Sequence, residues 1–118
     1  MNRFVLDCSV TMAWCFEDEN DSRAQAVLAA LSSQEALVPG HWSLEVANVL
    51  AGTERRKRIA AAQIPRFLEI LNSLPIVVDD QTAKNAFGDV LTLARTLRLT
   101  AYDAAYLELA LRKGCPLA

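Results

Sequence analysis

Short apolar runs alternate along the chain with longer stretches in which apolar residues recur every three or four positions. The first run, 3–6, stops at Asp7 and gives way to the polar Ser9 and Thr11, which predicts a buried strand ending at the acid. A helical stretch reaching Trp14 follows. The polar segment 17–22 then predicts a loop, with Asp21 or Ser22 capping a helix over 23–31. It has no glycine to supply the turn of a calcium loop, so it reads as solvated. Ala36-Leu37-Val38, closed by Pro39-Gly40, predicts a second strand. Helices over 42–57 and 59–74 come next, the second tolerating Pro65 near its start. The apolar run 75–79 predicts a third strand, also buried. Helices over 81–99 and 101–113 follow, Gly114 is placed to end the last, and 115–118 opens a fourth strand.

Strands of this kind alternating with helices predict an α/β fold, a short parallel sheet covered by helices on both faces in three layers. At 118 residues, without repeats or low-complexity linkers, the chain suits one domain over 1–118. Hydrophobic residues make up 53% against 22% charged, which favours a folded chain over a disordered one. No apolar stretch approaches the ~20 residues of a membrane span, and the N-terminal run is too short for a secretory signal, so the expected location is cytoplasmic, without a membrane partner. Cys8, Cys15 and Cys115 form no CxxC pair and His41 is the single histidine, which argues against a disulfide framework and against zinc.

A net charge of −2 offers no bulk electrostatic attraction for nucleic acid, so local patches must provide it. Arg55-Arg56-Lys57-Arg58 is the basic run, readable either as a grip on flanking phosphates or as a solvated helix end favoured by the helix dipole.

Three acids stand out. Asp7 lies at the carboxyl end of a predicted parallel strand, where ligands bind in open α/β folds, although capping the next helix would account for it equally well. Glu45 borders the apolar stripe of its helix made by Trp42, Val46 and Leu50, a position also open to an ordinary surface glutamate. Asp103 shares a helical face with Tyr106, Leu107 and Ala110, where a charge needs a partner, and Thr100-x-x-Asp103 also fits a capping box. Glu108 has Arg112 at i+4 and reads as a surface pair, while Asp79 and Asp80 read as caps for the helix from Gln81. Brought to one edge of the sheet, Asp7, Glu45 and Asp103 would repel one another and call for a hard cation, Mg²⁺ or Mn²⁺.

The phrases FVLDCSV, LVPGHWSLEVANVL and LTAYDAAYLELALRKGCPLA resemble, in order and over nearly the whole chain, the PIN-domain ribonucleases, particularly toxins of the VapC type. The resemblance implies that Asp7, Glu45 and Asp103 are catalytic and hold the metal, with Ser9 a polar neighbour and Asn48 an orienting group or a packing residue. It further implies metal-assisted hydrolysis of RNA, a homodimer and a VapB-type antitoxin whose helix fills an apolar groove on the helices of 14–31 and 42–71. In the family a fourth acid lies beyond the strand that begins at Pro116, and these residues do not reach it. The expectation is therefore a domain lacking its C-terminal strand end and last helix, weaker metal binding, and a partly unpaired edge along the first strand. Two other functions stay open: a catalytically impaired binding module that keeps partner and RNA contacts, and a phosphoryl-accepting domain using Asp7, which lacks the neighbouring acid and the later lysine such chemistry needs.

Overall fold

The computed structural model describes residues 2–16 and 21–118; positions 17–20 of the expected polar loop lie outside the described residues. Eleven or fewer residues make each element except two long helices. Strand β1 (Arg3–Val5) leads into helix α1 (Cys8–Ala13) and, after the segment to Asp21, α2 (Ser22–Ala30). Strand β2 (Glu35–Val38) is followed by α3 (Trp42–Arg55) and α4 (Gln63–Ser73), then by β3 (Ile76–Val78). The chain ends in α5 (Thr82–Asn85), a π-helical turn (Ala86–Val90), α6 (Leu91–Leu97) and α7 (Ala101–Lys113).

The sheet is parallel in the order β1-β2-β3, with Phe4 beside Ala36 and Leu37 beside Val77. Side chains of a strand point alternately to its two faces, and Phe4, Val5 and Leu6 are all buried, as are Ala36, Leu37 and Val38. Both faces of β1 and β2 are therefore covered, the layered α/β arrangement expected. β3 departs from expectation. Val77 and Val78 are 44% and 48% exposed, and β3 is the outer strand of the sheet.

Backbone bonds then carry the chain end back past β1. Val5 N–H donates to Pro116 O (2.8 Å), Ala118 N–H to Val5 O (2.8 Å) and Asp7 N–H to Ala118 O (3.0 Å). Leu117 bridges Val5 in parallel, on the side away from β2. The expected partly unpaired edge is thus closed at Val5 and Asp7, where three residues satisfy the groups turned outward and remove the cost of leaving them bare.

Local chemistry sets the helix boundaries. Asp21 caps α2 by accepting from the N–H groups of Arg23 and Ala24, as the sequence suggests. α3 ends where Lys57 takes a left-handed conformation (φ 59), and α4 begins only at Gln63, so the expected helix over 59–74 is shorter. The helix expected over 81–99 is broken at Gly88, whose φ −104 and ψ −108 are not helical, and Arg98 closes α6 in the left-handed region. Gly114 (φ 63) closes α7 as expected. One apolar core joins Phe4, Leu6, Trp42, Val46, Leu50, Phe67, Tyr106 and Leu109 across sheet and helices.

Candidate active site

The chain runs from β1 outward through β2 to β3, then returns to the opposite side of β1. That reversal leaves a crevice at the carboxyl end of β1, the place where parallel α/β sheets bind ligands. A cleft of ≈ 450 Å³ opens there, lined by Asp7, Ser9, Arg23, Asp103 and Tyr106 with Val10, Leu99, Leu107, Leu117 and Ala118. A groove of ≈ 480 Å³ lined by residues of α3, α4 and β3 is larger but has no titratable side chain, and it cannot carry acid–base or metal chemistry.

Asp7 stands at the N-cap of α1, yet its side chain makes no cap bond. Its carbonyl instead accepts from the Thr11 N–H and hydroxyl (both 3.1 Å), and the fully buried Thr11 oxygen in turn accepts from Trp42 Nε1 (3.1 Å). The backbone is thereby fixed from the core while the carboxylate is left to the cleft, accepting only from Ser9 Oγ at 2.5 Å.

Asp103 comes to the same cleft from the first turn of α7, which Thr100 caps by accepting the Asp103 N–H (3.1 Å). The side chain is exposed, so the argument that burial forces a partner on Asp103 does not hold; it sits where its helix emerges from the core. Glu45, in the first turn of α3, does not line the cleft. Its Oε1 accepts from the Tyr106 hydroxyl (2.5 Å), and Tyr106 does line it, so Glu45 joins the group through one phenol. Among the described residues no three His, Cys, Asp or Glu side chains are gathered closely enough to hold a metal ion as they stand.

Charge around Glu45 is organised by residues the sequence did not flag. Burial first, then the bond to Glu45, pushes the Tyr106 hydroxyl well above the usual tyrosine range, so it remains a donor. Burial and the nearby Glu45 and Asp7 push the Cys8 thiol up to about 12, which makes it an unreactive packing residue. His41 Nε2 lies 3.3 Å from Glu45 Oε1, a contact too poorly aligned for a hydrogen bond, and that nitrogen is otherwise buried without a partner. Its ring packs between Tyr102 (centroids 5.6 Å apart) and Tyr106 (5.3 Å, edge to face).

The remaining sequence candidates fall elsewhere. Asn48 is exposed and, among the described residues, its side chain has no hydrogen-bond partner. Arg55, Arg56, Lys57 and Arg58 are exposed at the far end of α3, ten positions and more beyond Glu45, or ~15 Å along the axis. Arg58 lies over the Phe16 ring at 4.9 Å. Arg23 is instead the cation of the cleft; its place at the start of α2 follows from the Asp21 cap, but nothing in the spacing tied α2 to Asp7.

A second charged group was misread. Glu108 is buried, not a surface residue, and Arg112 binds it through Nε (2.8 Å) while binding Asp79 Oδ2 through Nη2 (2.7 Å). Asp79 also accepts the Gln81 N–H (3.2 Å), but α5 begins at Thr82 with Gln81 at its N-cap and no side-chain cap bond, so the expected capping by Asp79 or Asp80 is not made. The Arg112 guanidinium holds the Asp79 carboxyl below its ordinary value. This trio ties α7 to the end of β3, away from the cleft.

A family model described as PIN domain matches residues 4–118. No curated protein matches the chain.

Proposed function

The chain belongs to the PIN-domain family, whose members act as nucleases, and from that premise we propose that it is a metal-dependent endoribonuclease, the toxin of a toxin–antitoxin pair. The observation that carries the reading is the cleft that Asp7 and Asp103 both line at the reversal of the sheet, with Tyr106 of the Tyr106–Glu45 pair in its wall. Hard carboxylate oxygens from two elements suit Mg²⁺ or Mn²⁺. Asp7 and Asp103 fit as direct ligands, and Glu45 fits as a negative charge one hydrogen bond away. A cation so held would lower the pKa of the attacking water and stabilise charge developing on the phosphate.

The chain's own residues do the rest. Ser9 orients the Asp7 carboxylate, and Tyr106 fixes Glu45 while remaining protonated. Arg23, on the same cleft wall, offers planar N–H donors to a phosphate next to the scissile one, a role the distant run Arg55–Arg58 is poorly sited to fill. RNA should be cut with added Mn²⁺ and left intact in EDTA. Arg23→Gln should raise KM about tenfold with little change in kcat, since it removes a phosphate contact made equally in ground and transition states. Cleavage indifferent to metal would refute the reading.

An impaired binding module remains the second reading, favoured by one observation: Glu45 is engaged by Tyr106 rather than free. RNA binding without any metal-dependent cleavage would decide for it.

The toxin role includes a homodimer and a VapB-type antitoxin. Support comes from exposed apolar side chains, among them Leu44, Leu68 and Ile70 on α3 and α4. Sedimentation of the chain alone should give twice its monomer mass; a monomer at micromolar concentration would refute the dimer.

A further inference from the structure

Tyr102 does not line the cleft and has no part in the proposed chemistry. It is 63% exposed, although it stands in the first turn of α7 immediately before Asp103, where a solvated side chain would ordinarily be polar. It is also held. Its ring leans on His41 at a centroid distance of 5.6 Å and 53°, and His41 also meets the edge of Tyr106, which is itself bonded to Glu45. The aromatic ring is thus held by a neighbour while the side chain stays largely open to solvent, one position before the Asp103 that lines the cleft.

We propose that Tyr102 is a substrate-positioning residue, a platform on which an unpaired nucleobase flanking the scissile phosphate stacks. Bases present a π-face whatever their identity, and an aromatic ring beside a phosphate-binding cleft is the usual means of holding a strand without reading its sequence. Arg23, in the cleft with Asp7 and Asp103, would then hold the strand by a phosphate, and Tyr102, next to Asp103 in the chain, by a base. Stacking also explains why the ring is anchored at all: a platform already ordered loses little freedom when the base arrives. The proposal rests on the nuclease reading, and its test must separate the two.

The test is binding of a short single-stranded oligoribonucleotide in EDTA, so that no cleavage is needed, together with cleavage in Mn²⁺. Tyr102→Ala should weaken binding about tenfold and raise KM with kcat nearly unchanged. Tyr102→Phe and Tyr102→Trp should bind as the parent chain does, because they keep the ring. An oligonucleotide scanned with a single abasic site should show one position at which the parent and Tyr102→Ala bind alike. Melting curves of all variants check the fold; a lone exposed ring should move them little. If the parent chain binds and cuts RNA while Tyr102→Ala does so equally well, or if Tyr102→Phe fails as Tyr102→Ala does, the stacking role is wrong and the nuclease reading stands. A parent chain that neither binds nor cuts RNA ends both.

Discussion

Asp7→Asn should reduce metal-dependent RNA cleavage about a thousandfold while leaving the fold intact, because the side chain and the backbone of this residue do separate work. The backbone carbonyl accepts from Thr11 and the N–H pairs with Ala118, and an asparagine keeps both. It also keeps an oxygen for the Ser9 hydroxyl. What it loses is charge, and with it the attraction for a cation shared with Asp103. In the parent chain, millimolar Mn²⁺ should raise the melting temperature by binding the native state alone. In Asp7→Asn that rise should largely vanish, while the melting temperature without metal holds level or climbs slightly as repulsion between the acids is relieved. Glu45→Gln, which can still accept from Tyr106, should lower the rate with a smaller loss of the metal-induced rise. Retention of activity within a few-fold by Asp7→Asn would exclude Asp7 from the chemistry.

The largest effect on stability should come from Arg112→Met, far from the cleft. The substitution preserves much of the stem's volume but leaves two nearly buried carboxylates, Asp79 and Glu108, without the cation that binds both. Stranding buried charge costs about 3–5 kcal/mol, or roughly 10–20 °C of melting temperature in a domain of this size. The pH dependence has a definite sign. Because Arg112 lowers the Asp79 pKa in the folded chain, Asp79 binds a proton more readily unfolded, and its contribution is complete above the ordinary value of 3.8. It is lost as pH falls below that value through the lower folded one. The parent melting temperature should therefore hold from neutrality to about pH 4 and drop below it. The deficit of Arg112→Met should be greatest near neutrality and shrink in acid, as protonation neutralises the stranded carboxylates. Calorimetry from pH 3 to 7 reads both; equal melting temperatures for the two chains at pH 7 would show the trio to be energetically idle.

The acids proposed to hold the metal are legible in the sequence, whereas their surroundings are not. Asp7 could be assigned to the end of a strand because a short apolar run gives way to polar residues there, a local signal. The Asp21 cap, the Thr100 cap and the Gly114 stop were legible for the same reason, each being settled within a few residues. The errors came where distant segments decide. Periodicity gave Glu108 an Arg112 partner at i+4 but could not reveal that β3 ends against them, which turns an expected surface pair into a buried trio. A run as apolar as 75–79 reads as interior, yet β3 lies at the rim because three strands must end somewhere. Likewise Tyr106 looked like core filling. Only folding sets its hydroxyl against Glu45, 61 positions earlier.

The pairing of 116–118 with β1 also fixes when the cleft can exist. Asp7 leaves the ribosome early, but the segment that completes its N–H bond and the wall formed by Leu117 and Ala118 are synthesised about a hundred residues later. Contacts so far apart in sequence close slowly, and an N-terminal portion folded first would have β1 and β2 but neither Asp103 nor this wall. A nascent chain that has not yet reached Leu117 and Ala118 therefore carries no assembled cleft, and whatever the cleft does to nucleic acid waits on a segment distant in sequence from Asp7.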